Sequence, residues 1–321
     1  MSFSEDDESE LLALTDLLEA TIAALLRSPD SAAHGVASRL QGRIARYCAS
    51  NPRIGEALRH DGGLRLAMLG SLAAAAPGPG RNEFVNRLRQ AVLELERSDP
   101  GTGTSAYQEV HGAGFYQDLN RNAAWDDSWA QLMGCGADSI AEEVLGVLPC
   151  RPAPWTAVDL GGGDGTFVAA LARRCAEVER AVVVERPRVA RAAERLFGRH
   201  GLAPRCAAVA GDLFDTPLPS ADVYFLVSVL HEWPDVDAVR ILQNIRMAMS
   251  ESSELYVVER VFDSGRDDAE LVASLDLLVL ALSAGRERTI GELGELCRSA
   301  GLDTPTSKVL ASGRAILRVA A

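Results

Sequence analysis

The sequence predicts an α/β fold in which a doubly wound, mostly parallel sheet follows a helical N-terminal domain. Two observations predict this fold. After Pro154, short apolar runs rich in valine alternate with helical stretches, which is typical of a parallel sheet covered by helices on both faces. In the first hundred residues, apolar side chains instead recur at three- and four-residue spacing, the period of an amphipathic helix.

The elements of the sheet domain can be placed in order along the chain. The predicted strands are 155–160, 181–185, 207–210, 223–229 and 255–259, and the clearest helices are 165–175, 188–197, 236–249 and 269–282. The tail breaks this rhythm, because runs 308–310 and 315–319 flank Ser312 and Gly313 and predict a closing hairpin. We therefore expect a Rossmann-like sheet with a C-terminal antiparallel hairpin.

The N-terminal part predicts helices and a boundary after them. Its two apolar stripes are Leu11, Leu14, Leu18, Ile22 and Leu25, and then Phe84, Leu88, Val92 and Leu95. Residues 98–104 are rich in glycine, proline and threonine, which is typical of a linker. We expect a helical domain over residues 1–104 and a second domain over 105–321.

Composition and charge exclude several classes of function. The net charge is −13 and the isoelectric point is near 4.9, whereas a protein that binds nucleic acid needs a basic face. The six cysteines are scattered, without the spacing of a disulfide framework or a zinc site. No apolar run approaches the length of a membrane span, and no secretory leader is visible. We expect a cytoplasmic protein with no metal, membrane or nucleic-acid partner.

Polar side chains stand at the ends of successive apolar strands. Reading along the chain, these ends carry Asp159, Glu185, Asp212, His231 and Glu259. In an open parallel sheet, ligands bind outside the carboxyl ends of the strands. The sequence therefore predicts a crevice lined by these five side chains.

The turn after the first strand is rich in glycine. Its spacing is G-x-G-x-G from Gly161, and the third glycine of the dinucleotide pattern is replaced by Thr166. Asp159 and Asp164 would repel a pyrophosphate, whereas an acid beside free backbone N–H groups suits a ligand with an ammonium and a carboxylate. We expect S-adenosylmethionine, held at Asp159, Gly161 and Gly163, and keep a nicotinamide cofactor as the alternative.

The next two strand ends extend this cofactor site. Glu185 lies where an acid can accept both ribose hydroxyls, although it could also be a solvated start of the following helix. Asp212 could accept the adenine amino group, with Leu213 and Phe214 flanking the ring. The alternative for Asp212 is an ordinary Gly-Asp turn.

Several stretches together resemble a known family. They are Val110–Phe115, Val158–Phe167, Gly211–Phe214, Val229–Asp235 and Gly285–Thr289. These stretches resemble the S-adenosylmethionine-dependent small-molecule O-methyltransferases, typified by plant caffeate and flavonoid enzymes and by bacterial antibiotic-pathway members. The resemblance covers residues 103–321. It implies transfer of a methyl group to a hydroxyl, phenolic in kind, of a small secondary metabolite, and it implies a homodimer.

The resemblance implies that His231 is the catalytic base and that Glu259 and Glu287 flank it. A phenol, with a pKa around 10, is a poor nucleophile until it loses its proton. An imidazole can remove that proton near neutral pH, and a carboxylate on its far nitrogen would stabilise the imidazolium that forms. Without the resemblance, a single histidine after a strand is more often structural.

The resemblance also indicates where the acceptor binds. Trp129 and Met133, four residues apart on one helix face, would wall the acceptor pocket, although a core role suits them equally. Asp276, on the helix after the fifth strand, could face the acceptor. A relative that keeps the cofactor site but catalyses hydroxylation, decarboxylation or cyclisation is the alternative function.

The chain departs from the family pattern in two places. No β-rich hairpin is visible between Ala20 and Leu95, where related enzymes carry one in a winged-helix segment. Val227 stands where many plant members carry a lysine, so one cofactor contact is absent or replaced.

Overall fold

The computed structural model describes residues 87, 90, 91, 104–134, 136–149, 151, 154–265 and 269–320. The chain divides into two compact units. One unit comprises the described residues up to Trp125 and those within 267–284. The other comprises the described residues within 126–266 and 285–321. The stripe 11–25 and nearly all of 84–95 lie outside the described residues, so the helical N-terminal domain and its boundary at residue 104 stay predictions.

The described helices and strands follow one another in this order: α1 (Ala106–His111), α2 (Phe115–Arg121), α3 (Ala123–Gly134), α4 (Ala137–Leu145), β1 (Trp155–Leu160), α5 (Thr166–Arg174), β2 (Val178–Glu185), α6 (Pro187–Arg199), β3 (Cys206–Ala210), β4 (Val223–Val227), a 3-10 turn (Leu230–Glu232), α7 (Asp235–Ala248), β5 (Glu254–Arg260), α8 (Ala269–Ser283), α9 (Ile290–Ser299), β6 (Thr306–Val309) and β7 (Arg314–Ala320). Every predicted strand and helix of the sheet domain is confirmed, with ends that shift by up to three residues.

The strands form one seven-stranded sheet in the order β3-β2-β1-β4-β5-β7-β6. The first five strands pair in parallel, and β7 runs antiparallel to both β5 and β6. The α/β class and the C-terminal hairpin are thus confirmed. The strand order reverses between β1 and β4, and a crevice for ligands opens at such a point, outside the carboxyl ends of the strands.

Helices cover both faces of the sheet. On one face, α4, α5 and α6 pack over β1, β2 and β4, with Phe167 and Phe197 in the core. On the other face, α7 and α9 pack through Ile241 and Leu296. Burial on both sides explains why the strands are apolar without alternation. Within the described part of the chain, no helix combines the length and apolar character that crossing a membrane requires.

The unit that ends at Trp125 has its own buried polar contact. Asp118 is 8% exposed, and its carboxylate is paired. It accepts hydrogen bonds from the hydroxyl of Tyr107 at 3.0 Å and from Nη1 of Arg87 at 2.7 Å. Because a buried acid is stable only with such partners, this contact ties α1 and α2 to the helical residue 87.

Gly165 allows α5 to begin close to α6. Its φ is 81°, in the left-handed region, and a Cβ placed there would lie 2.6 Å from Cζ of Phe197. Both features exclude larger residues, since a side chain at this φ is strained and the Phe197 ring is buried. The glycine therefore fixes how near the turn after β1 lies to the second helix of the sheet.

Gly165→Ala should lower the free energy of unfolding by about 2–5 kcal/mol, because left-handed strain and overpacking add. Gly201→Ala is the matched control, since Gly201 has a φ of 67° with nothing within 4 Å of a Cβ. The control should lose only the strain, about 1–2 kcal/mol. Urea unfolding of both variants measures the difference, and equal losses would show that the Phe197 contact is unimportant.

Candidate active site

The glycine turn after β1 passes directly over the side chain of Asp159. A Cβ at Gly162 would lie 2.1 Å from Oδ2 of Asp159, so only glycine allows this approach. Gly161 and Gly163 have φ values of 68° and 58°. The predicted residues Asp159, Gly161 and Gly163 therefore form one tight structure at the carboxyl end of β1.

Asp159 is a buried acid with unsatisfied oxygens. It is 1% exposed, and neither carboxylate oxygen has a hydrogen-bond partner among the described residues. Burial and the nearby charge of Glu185 raise the pKa of Asp159 well above its usual range. A ligand with a cationic group placed beside this carboxyl would relieve the desolvation penalty.

Glu185 ends β2 and is held by the residue that follows it. Its Oε1 accepts a hydrogen bond from the backbone N–H of Arg186 at 2.8 Å and lies 3.3 Å from Nε of the same arginine. Nη2 of Arg186 also donates to Oδ1 of Asp126 at 2.8 Å. Burial raises the pKa of Glu185, and the charge of Arg186 acts against that rise.

Asp212, after β3, is exposed and forms a local turn. Its Oδ1 accepts hydrogen bonds from the backbone N–H groups of Phe214 and Asp215, both at 2.8 Å. The Phe214 ring meets that of Trp233 edge to face, with centroids 4.8 Å apart. The structure thus shows the Gly-Asp turn, and the role of Asp212, Leu213 and Phe214 at adenine stays a prediction.

The three predicted catalytic residues lie together. His231 sits on the 3-10 turn after β4, and its Nδ1 is 2.7 Å from Oε1 of Glu287. Glu259, on β5, accepts hydrogen bonds from the N–H groups of Val229 at 2.9 Å and Leu230 at 2.7 Å. One nitrogen of His231 and one oxygen of each acid lie within 4.8 Å of one another, close enough to coordinate a metal ion as well.

The two acids change the charge state of the histidine. Burial alone would lower the pKa of His231, but the charges of Glu287 and Glu259 outweigh it and raise this pKa to about 10. Burial likewise raises the pKa of Glu259, against the opposing charge of His231. No hydrogen bond from the described residues reaches Nε2 of His231, so that nitrogen can serve a bound molecule.

The residues predicted to contact the acceptor differ in how exposed they are. Trp129 on α3 is 6% exposed, whereas Met133, one turn later, is 47% exposed. Asp276 on α8 is 1% exposed and belongs to the unit that ends at Trp125. Their contact with an acceptor stays a prediction.

Two arginines were missed by the sequence analysis. Arg186 and Arg288 each directly follow a predicted site acid and bind near it. An arginine beside a site acid in an otherwise acidic chain is the pattern that could have revealed them. Sequence spacing alone does not say which acid or carbonyl an arginine will reach.

Comparison with known proteins gives the family. Residues 86–303 match the family model of the O-methyltransferase domain. The mitomycin biosynthesis 6-O-methyltransferase of Streptomyces lavendulae is 34% identical over 212 residues, which are 66% of this chain and 60% of that protein. The aclacinomycin 10-hydroxylase of Streptomyces purpurascens is 38% identical over 208 residues, 63% of this chain and 54% of that protein. The chain thus spans between half and two thirds of these relatives.

A solved structure agrees with these relatives. The O-methyltransferase of neocarzinostatin biosynthesis, in complex with S-adenosylmethionine and 2-hydroxy-5-methyl naphthoic acid, superimposes with a TM-score of 0.65 at 31% identity. The match covers 74% of this chain and 70% of that one. Together with the family model, which matches more than half of the sequence, this shows that the chain belongs to the O-methyltransferase domain family.

Proposed function

We propose that the protein is an S-adenosylmethionine-dependent methyltransferase that methylates a hydroxyl, phenolic in kind, of a small secondary metabolite, with His231 as the general base. The observation that carries this proposal is the partly buried hydrogen bond between His231 and Glu287 at 2.7 Å. It lies at the carboxyl edge of the sheet, where the glycine turn also lies. A homodimer and a cytoplasmic location, which the sequence predicts, stay predictions.

The residues at the ends of β1 and β2 fit the cofactor. The unsatisfied carboxyl of Asp159 suits the ammonium of the methionine part, and Glu185 at the next strand end suits the ribose hydroxyls. Leu213 and Phe214 would flank adenine. When bound, S-adenosylmethionine supplies an electrophilic methyl group on a sulfonium. The solved relative that binds this cofactor supports the same assignment here.

His231 would receive the proton of the acceptor hydroxyl. With Nδ1 directed at Glu287, Nε2 is the nitrogen that can accept it. The hydroxyl O–H bond breaks, its electron pair stays on oxygen, and the proton becomes part of the imidazolium. Glu287 and Glu259, which are each at most 2% exposed, stabilise that positive charge.

The high pKa of His231 sets the protonation state of the pair. With a pKa of about 10, the ring is protonated at neutral pH, and a phenol with a pKa around 10 is neutral there. One proton must leave this pair before methyl transfer, whichever group loses it. The resulting imidazolium and phenolate attract each other. Because Glu287 and Glu259 stabilise the imidazolium, they favour this reactive ion pair.

The non-methylating alternative has a specific observation in its favour. One relative, 38% identical, is named a hydroxylase, and a shared fold does not fix the reaction. The paired His231 and Glu287 support methylation, because removal of a hydroxyl proton is what methyl transfer to oxygen needs. Mass spectrometry separates the two, since the product gains either a methyl group or an oxygen atom.

Asp159→Asn should weaken S-adenosylmethionine binding about 10- to 100-fold, because a hydrogen bond to a charged group is lost. Wild-type binding should also release up to about one proton, since the cationic ligand favours the ionised form of an acid with a raised pKa. Calorimetry at pH 6.5 in buffers of different ionisation enthalpy measures both. At this pH the amino group of the ligand is itself protonated.

Asp164→Asn is the control for this experiment. Asp164 lies in the same turn, but its Oδ1 already accepts hydrogen bonds from the N–H and hydroxyl of Thr166. It should bind with nearly wild-type affinity and release the same proton. If Asp159→Asn behaves in the same way, Asp159 does not bind the ammonium.

His231→Ala should reduce kcat for phenolic acceptors about 100- to 10,000-fold, the range for loss of a general base. Cofactor affinity should stay within about threefold, since no cofactor contact is assigned to His231. Turnover of a naphthol and phenol panel, followed by mass spectrometry, measures the loss.

EDTA should leave wild-type turnover unchanged. A loss of turnover with EDTA would instead indicate a metal at His231, Glu259 and Glu287.

The kcat/KM of the wild type, which reports the free enzyme, should rise with pH between 7 and about 10, because His231 carries a proton below its pKa of about 10. In Glu287→Gln the inflection should move to lower pH, since a neutral amide no longer stabilises the imidazolium, and the plateau should fall. Initial rates across this range measure both shifts. An unmoved inflection would contradict the coupling between the two residues.

A further inference from the structure

Arg288 is a buried cation that the mechanism leaves without a role. Its side chain is 1% exposed. Besides a 3.3 Å hydrogen bond from Nη1 to the carbonyl of Arg286, its guanidinium binds one short segment, residues 230–235. Nη1 donates to the carbonyl of Leu230 at 2.7 Å, and Nη2 donates to the carbonyl of Trp233 at 2.7 Å. Nη2 and Nε both donate to Oδ1 of Asp235, at 2.7 and 3.0 Å.

The segment that Arg288 binds is the one that carries His231. This segment forms only a single 3-10 turn, Leu230–Glu232, so its own backbone hydrogen bonds cannot fix it firmly. In addition, Oε1 of Glu259 accepts hydrogen bonds from the N–H groups of Val229 and Leu230. Leu230 is therefore held at its N–H by an acid and at its carbonyl by an arginine.

Arg288 can act as a fixed anchor because its own backbone is fixed. It forms an isolated bridge with Val261, just beyond β5, and the N–H of Phe262 donates to its carbonyl at 3.3 Å. The segment before it lies tightly against the turn, since a Cβ on Gly285 would be 2.1 Å from the carbonyl oxygen of His231.

Glu287 directly precedes Arg288, so the anchor for the turn and the acid for the ring share one piece of chain. Any shift of the turn relative to Arg288 is also a shift of His231 relative to Glu287. A guanidinium suits this task because its planar fork reaches several acceptors in fixed geometry, whereas a lysine ammonium is a single mobile point charge.

We propose that Arg288 is a positioning residue for His231: by binding two carbonyls and Asp235 of the turn, it fixes Nδ1 of His231 at hydrogen-bond distance from Glu287. This role rests on the proposed function of His231 as base. Arg288 itself touches no reacting atom, and it acts through the turn.

The titration of His231 reports on this positioning. The charged groups that act on the ring are Glu287, Glu259 and Glu232, and together they outweigh burial and raise its pKa to about 10. If the turn loosens, the ring moves away from Glu287 and loses that stabilisation. A residue that only supports overall stability would leave the pKa of His231 in the folded protein unchanged.

Arg288→Lys tests the proposal in the full chain. Nuclear magnetic resonance of isotopically labelled histidine resolves the five imidazoles, and the His231 signal is assigned by its loss in His231→Gln. In the wild type this signal should stay protonated to about pH 10. In Arg288→Lys its midpoint should fall by about 1–3 pH units toward the usual value near 6.5, and kcat should fall with little change in KM.

Arg286→Lys is the matched control. Arg286 also binds Asp235, at 3.0 Å, but its side chain is 39% exposed and it donates to neither carbonyl of the turn that Arg288 holds. In Arg286→Lys, the titration midpoint of the His231 imidazole should equal that in the wild type. A folded Arg288→Lys protein with the wild-type midpoint would overturn the proposal.

Asp235→Asn covers the case in which Arg288→Lys fails to fold. Asp235 is 51% exposed, and this variant keeps the bonds of Arg288 to both carbonyls. Its His231 midpoint should fall in the same direction by a smaller amount, and an unchanged midpoint would count against the proposal. If the wild type methylates nothing, the proposed function fails, whereas the titration still decides whether Arg288 positions His231.

Discussion

The site depends on carboxylates that the fold withdraws from water at one edge of an apolar sheet. Asp159, Glu259 and Glu287 are each at most 2% exposed, and Glu185 lies beside Asp159 at the next strand end. Burying an ion costs several kcal/mol unless partners compensate for its lost hydration. Much of the local structure at this edge supplies such partners, and where it does not, the missing partner points to a ligand.

The partners come from three kinds of group. Backbone N–H groups of the turn after β4 satisfy one oxygen of Glu259, the imidazole of His231 meets Glu287, and Arg186 meets Glu185. Arg186 also binds the buried Asp126 on α3, so a strand end and a helix distant in sequence are joined by one guanidinium. In a chain with a net charge of −13, Arg186 reduces the repulsion between the carboxylates of Glu185 and Asp126.

The fold could be predicted from the sequence because its information is local. A buried parallel strand is apolar throughout, as in the run Val223–Val227, and the glycine turn and the polar strand ends mark the crevice. The order in which β7, and not β6, lies beside β5 could not be predicted, since strand pairing depends on the assembled sheet.

The candidate site, like the fold, could be predicted from the sequence only in part. The meeting of His231, Glu259 and Glu287 followed from motif resemblance and strand order. Two features could not be decided from the sequence: Asp212 forms a local turn, and Arg288 reaches back to the carbonyl of Leu230. Both depend on side-chain directions that a single sequence does not encode locally. Residues that act through a second residue are therefore the ones that sequence reasoning misses first.

The acids of the site differ in the partners that the described residues give them. Of the acids in the cofactor region, Asp159 has no hydrogen bond to a described residue and a raised pKa, so its charged form becomes stable only beside a cation. Glu259 and Glu287 already bind N–H groups of the turn and the ring, and their charges stabilise a proton on His231. In the proposed function, Asp159 receives a cationic ligand, whereas Glu259 and Glu287 hold a proton on His231. In the proposed function, the same side-chain type therefore binds a ligand at one strand end and assists catalysis at another, because Asp159 lacks a partner among the described residues whereas the turn and His231 supply partners to Glu259 and Glu287.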